Sequence, residues 1–300
     1  MAEWNRRKWL RAFGLGTASM FVAPGLLVPG LLADEPQITR SPLNKLSDEQ
    51  EIELGRRFAT ELEKEEPVVS SLLIDRYLNA LVRDLASHSQ RPNLPYAVKL
   101  INSHEPNACS LPGGFLYVNR GLIEMIGSED ELAATLAHEI GHVVGRHAVN
   151  QLLLSFSARA LLKPVLDNLN KHNGVIESII LQFGGALAML AMLHFSRQDE
   201  AQADLLGLYE MLRAGRDPRG FLKLFAQLEE LQESSGSAPI AFLSDHPPTP
   251  ERAAAIRHEL AQLTIPAGAS ADSMKFQTIK MSVGLLPESP KVPAHHKPQS

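Results

Sequence analysis

His138-Glu139-Ile140-Gly141-His142 is the stretch on which the reading of this 300-residue chain turns. On an α-helix, residues four apart share a face, so the two imidazoles can reach one ion. Glu139 lies one step round the helix, where its carboxylate reaches a water beside that ion without ligating it. Zinc acidifies such a water, and the carboxylate takes its proton as it attacks a carbonyl. Leu132, Leu136, Val143 and Val144 around the motif are apolar, which places the histidines on a buried element. Two unpaired imidazoles there would be costly, and ligation removes that cost. Ser128 and Glu131 have the spacing of a capping box and set the expected start of this helix.

Three protein ligands are needed if the fourth position is to stay open for chemistry. Some zinc peptidases supply a third histidine ten positions after the first, but that residue here is Ala148. His147 lies five positions from His142, roughly 140° round a continuous helix. It therefore reads as a helix-surface residue or as one bracing a ligand from behind. Glu200-Ala201-Gln202-Ala203-Asp204 offers a second i, i+4 pair on a later helix. Ala203 and Gly207 flank that face, and small residues let this helix approach the first one closely. Glu200 is then the third ligand, and Asp204 accepts a hydrogen bond from a ligand histidine and fixes its tautomer. His194 lies about 240° away and does not substitute.

Outward from these two helices, apolar spacing from Ser47 to Leu85 predicts two amphipathic helices separated by Pro67. Tyr96–Ile101 and Phe115–Val118 read as strands, the second entered through Pro112-Gly113-Gly114. Helix is expected from Ser196 to about Ala214, from Phe221 to Leu231 and again from near Pro250. Val175–Phe195 is apolar and reads as a buried or cleft-lining helix, with peripheral membrane contact as the other use. The expected class is α+β, predominantly helical with a small sheet. The catalytic domain spans 34–265, and 266–300 is expected to be a disordered Pro/Lys/His tail.

Residues 5–11 read Asn-Arg-Arg-Lys-Trp-Leu-Arg and precede an uncharged stretch from Ala12 to Ala33. This pattern marks residues 1–33 as a twin-arginine-like export signal or an N-terminal anchor, and the destination as the periplasm. Without that segment the chain keeps 25 basic and 33 acidic residues. Such a balance leaves no electrostatic footprint for nucleic acid. Cys109 is the single cysteine, so a metal must be held by nitrogen and oxygen.

These motifs, with Asn107-Ala108, Pro112–Val118 and Asp245-His246-Pro247-Pro248-Thr249-Pro250-Glu251-Arg252, resemble the M48 metallopeptidases in family order over most of residues 45–260. The likeness is to the soluble bacterial periplasmic branch of the family of the CAAX prenyl protease, HtpX and the Oma-type mitochondrial protease. The resemblance implies a zincin-type fold and one zinc ion per chain, held by His138, His142 and Glu200, with Glu139 as base and Asp204 behind a ligand. It implies that Phe115, Leu116, Tyr117 and Val118 form the edge strand to which an extended peptide adds. It further implies that His246 acts at the site, as oxyanion donor or as a brake at the open position, with Arg252 a weaker candidate. The expected substrates are polypeptides, in particular unfolded envelope proteins. A zinc-bearing chaperone with latched proteolysis is the alternative, and a cell-wall amidase finds no supporting module in the sequence.

Overall fold

The computed structural model describes residues 38, 44, 46–158, 190, 195–235, 241–265 and 273–288. The N-terminal address, most of the Val175–Phe195 run and His194 lie outside these residues. Two helices open the described chain, α1 (Asp48–Glu65) and α2 (Leu72–Ser87). A true capping box starts α1, with Ser47 and Gln50 satisfying each other's backbone N–H groups. Ile74, Leu78, Leu81, Val82 and Leu85 form the buried stripe of α2.

Three short strands follow: β1 (Ala97–Ile101), β2 (Ala108–Leu111) and β3 (Phe115–Asn119), in the order β1-β3-β2. β1 runs parallel to β3, with Val98 beside Leu116 and Leu100 beside Val118. β2 runs antiparallel to β3, with Cys109 beside Tyr117 and Leu111 beside Phe115. The expected edge strand, Phe115–Val118, is therefore the central strand, and its backbone is engaged on both sides. Its Leu116, Tyr117 and Val118 are buried, as befits a strand covered on both faces. The outer side of β1 is met by Val68 and Val69, whose N–H reaches the Leu100 carbonyl at 2.8 Å. Among the described residues, the free edge of the sheet belongs to β2.

α3 (Arg120–Met125) leads to α4 (Glu129–Gly145), the motif-bearing helix, buried along its whole length. At its start the expected capping box takes another form. Glu131 accepts from the Ser128 hydroxyl at 2.8 Å and from the Gly127 N–H at 2.9 Å, while Ser128 caps nothing. α4 ends at Arg146, a left-handed residue with φ 57°, and α5 (His147–Ala158) begins immediately. α6 (Arg197–Arg213) opens with a Ser196/Asp199 capping box. α7 (Gly220–Ser235), α8 (Ala241–Asp245) and α9 (Pro250–Leu260) complete the bundle.

One expectation about the C-terminal region is overturned. Within the supposed tail lies α10 (Met274–Gly284), whose Phe276, Ile279 and Val283 are buried in the main core. Arg120 donates to the carbonyls of Gly284 at 3.2 Å and Leu286 at 3.0 Å, capping that helix and tying it to α3.

Candidate metal centre

Two helices distant in sequence meet at the site. A Cβ added to Gly207 would lie 2.8 Å from the backbone of Ala137, so α4 and α6 pack backbone to backbone. That proximity, and the capped first turn of α6, aim Glu200 at the two motif histidines. The third element is the corner after α8, where His246 N–H donates to the Phe242 carbonyl at 2.8 Å. Its imidazole lies between the Phe195 and Phe242 rings, with centroid separations of 5.8 and 5.3 Å.

His138, His142, Glu200 and His246 bring one donor atom each within 4.8 Å of one another, and all four are buried. His138 Nε2 and His142 Nε2 are 3.0 Å apart, and Glu200 oxygens stand 3.5 and 3.3 Å from them. A tetrahedron with bonds of about 2.0–2.1 Å has an edge of roughly 3.3 Å, so this spacing suits zinc. His138 Nδ1 lies 2.9 Å from Asp204 Oδ1 and must donate to it, which turns the bare Nε2 inward. Lone pairs and a carboxylate converging in a buried space are what a divalent cation requires.

The surrounding charges agree. Burial favours the neutral form of Glu200, but His246 and His142 outweigh it and hold the carboxyl far below its ordinary range. Burial keeps His142 neutral, as a ligand must be. His246 is pulled down by burial, yet the Glu200 and Glu139 carboxylates overcome this and raise it to about 9. Its Nδ1 lies 2.9 Å from Glu200 Oε1 and 3.2 Å from His138 Nε2, and its Nε2 lies 3.5 Å from Glu139. Neither oxygen of the buried Glu139 carboxylate makes a hydrogen bond among the described residues.

Arg252 braces the site from behind. Its Nε and Nη2 each donate to Asp204 at 2.7 Å, and its Nη1 stands 2.8 Å from Glu200 Oε2. Burial opposes the charge on Asp204, and Arg252 overrides it, keeping that carboxyl ionised. The guanidinium also sits over the Phe225 ring, 5.0 Å from its centroid. The Asp245–Arg252 segment carried this signal, although the sequence alone did not place the guanidinium behind Asp204.

His138, Glu139, His142, Glu200, Asp204 and His246 thus come together, whereas Phe115–Val118 does not supply an edge. His147, read either as helix surface or as bracing a ligand from behind, is buried, with Nδ1 3.0 Å from His142 Nδ1, and not on the surface. The break at Arg146 is the reason. Gln202 was not singled out in the sequence, and Phe195 ends the run read as buried or cleft-lining. Phe195 packs on His142 at a centroid distance of 4.2 Å, and Gln202 touches His147.

Comparison with known proteins follows the same lines. The β-barrel assembly-enhancing protease of Escherichia coli K12 is 28% identical over 240 residues, covering 76% of this chain and 47% of that protein. The mitochondrial metalloendopeptidase OMA1 of Schizosaccharomyces pombe is 30% identical over 189 residues, covering 63% of this chain and 54% of the relative. The chain spans about half the length of these curated relatives. The model of peptidase family M48 matches residues 73–260, from α2 through α9 and across every residue of the buried cluster. With the match extending over more than half the sequence and over both helices that carry the candidate ligands, this chain belongs to peptidase family M48.

Proposed function

We propose that the chain is a zinc-dependent endopeptidase acting on extended or unfolded polypeptide segments, with His138, His142 and Glu200 as metal ligands. The observation that carries this reading is the convergence of those three donors beside the Glu139 carboxylate, which makes no hydrogen bond among the described residues. When bound, zinc would supply Lewis-acid polarisation and a more acidic water. Glu139, beside the candidate ligands, would serve as the base that takes a proton from the attacking water and the acid that returns one to the leaving amine. Asp204 holds His138 in the ligating tautomer, and Arg252 keeps Asp204 ionised and fixed. Phe195 and Phe242 pack against His246 and help bury it.

With β3 paired on both sides, the peptide-accepting edge passes to β2, Ala108–Leu111. Main-chain hydrogen bonds along this strand would hold a substrate extended, which favours unfolded over compact segments. The twin-arginine-like N-terminus supports the periplasm as location and unfolded envelope proteins as substrates. No helix among the described residues is long and apolar enough to cross a membrane. The experiment is hydrolysis of an unfolded protein such as casein by zinc-loaded chain and by Glu139→Gln. Loss of at least about a hundredfold in rate with zinc content unchanged is expected; equal rates would overturn the role of Glu139.

One observation favours a second reading. His246 Nδ1 is as close to the cluster as the ligands are, so it fits a latch on the open position. The name of the E. coli relative joins assembly enhancement with proteolysis. An assembly factor with latched proteolysis would keep its biological role in Glu139→Gln, and His246→Ala would raise its peptide hydrolysis.

A further inference from the structure

Resting on the metal-centre reading, we propose that His147 and Gln202 form a hydrogen-bond relay that positions His142 and fixes the tautomer in which its Nε2 is bare. His147 Nε2 lies 2.8 Å from Gln202 Oε1 and 3.6 Å from an Asp199 carboxylate oxygen. Both are acceptors only, so the single proton of a neutral His147 sits on Nε2. Its Nδ1 lone pair then faces His142 Nδ1 at 3.0 Å. Two nitrogens at that distance share one proton, which His142 must carry on Nδ1. The remaining nitrogen, His142 Nε2, stands 3.0 Å from His138 Nε2 and 3.3 Å from Glu200 Oε1. The opposite tautomer of His147 would put a proton on that nitrogen, inside the space the ligands share.

The local chain is built around this placement. A Cβ on Gly145 would lie 2.3 Å from His147 Nε2, so the glycine makes room for the ring. The left-handed Arg146 ends α4 and swings His147 back beside His142. Arg146 is itself held by ion pairs to Glu51 and Asp48. Phe195 covers both rings, at centroid distances of 4.2 Å from His142 and 6.1 Å from His147. α6 thereby provides a ligand, Glu200, and an orienting partner for each motif histidine: Asp204 directly for His138, and Gln202 through His147 for His142.

The experiment takes the full chain, metal-free and labelled with ¹⁵N-histidine, and reads the tautomers from two-bond ¹H–¹⁵N correlations. His142 is expected to carry its proton on Nδ1 and His147 on Nε2; a proton on His142 Nε2 overturns the relay. Zinc affinity is then measured by chelator competition. His147→Leu and Gln202→Leu should weaken it by about 10- to 100-fold. His147→Asn places an amide oxygen near the lost Nδ1, and Gln202→Glu keeps an acceptor, so both should stay within a few-fold of the parent chain. Unchanged affinity in both leucine variants, or equal loss in leucine and conservative variants, overturns the proposal. If a leucine variant fails to fold, the tautomers of the parent chain decide. A parent chain that binds no zinc overturns the metal centre as well, whereas a zinc-binding chain with the wrong tautomer overturns the relay alone.

Discussion

A Cβ built on Gly141 would lie 2.5 Å from the Ala203 carbonyl oxygen and 2.9 Å from the Ala203 Cα. The helix carrying two of the proposed ligands and the helix carrying the third therefore touch through backbone within a turn of all three. Gly141→Ala gains about 1 kcal/mol in helix propensity. The neighbour it meets is backbone, which cannot rotate away, and overpacking of this kind costs about 1–3 kcal/mol or more. Denaturant unfolding should show net destabilisation, and chelator competition should show weaker zinc binding as the helices separate. A more stable variant with full zinc affinity would contradict this packing.

Arg252→Lys keeps the positive charge but cannot make the paired contacts that the guanidinium makes with Asp204. Zinc affinity should fall by about tenfold or more through the loosened Asp204–His138 contact. Arg252→Ala leaves Asp204 and Glu200 buried without their cation, a loss of about 3–5 kcal/mol in unfolding free energy. Parent-like zinc affinity and stability in Arg252→Lys would show that charge alone matters.

Glu51 is fully buried at the start of α1 and accepts from Arg91 at 2.9 and 3.1 Å and from Arg146. Arg91 also donates to the Val143 carbonyl at 2.8 Å, so this cluster fastens α1 to the end of the motif helix. Glu51→Gln leaves two guanidiniums with Asp48 as their remaining carboxylate, at a cost of about 3 kcal/mol. Urea denaturation is the measurement, and stability within about 0.5 kcal/mol of the parent would contradict the role given to this cluster.

Asp130, buried beside Asp217, has its carboxyl pushed up to about 6, first by burial and then by the neighbouring charge. In the unfolded chain it titrates near the ordinary aspartate value of 3.8. Between these values the folded state binds more protons than the unfolded state, so rising pH removes stability. Asp130→Asn should match the parent below pH 4 and be more stable above pH 6, by on the order of 1–2 kcal/mol. Thermal unfolding across that range measures it; parallel pH profiles would exclude the titration.

Much of the site was legible because its donors come as two i, i+4 pairs, and helical spacing translates directly into shared faces. The close approach of α4 and α6 was readable from Ala203 and Gly207 for the same reason. The strand order was not: Phe115–Val118 has the letters of a strand, but nothing in them states which neighbours pair. Between the two readings of His147, surface or brace, the sequence could not choose, because a helical wheel continues past Gly145 whereas the chain turns left-handed at Arg146. Arg146 pairs there with Glu51 and Asp48, about a hundred residues earlier, and ion pairs of such range leave no periodic trace. Met274–Gly284 escaped notice because three core residues in a short segment are a weak pattern until a partner surface is known.

The central claim is that one cation joins α4 to α6, and anomalous diffraction at the zinc edge from crystals of the zinc-loaded chain tests it most directly. A single peak bonded to His138 Nε2, His142 Nε2 and a Glu200 oxygen is the predicted result. No peak between those three side chains, or a peak bound by the histidines with Glu200 turned away, would contradict it.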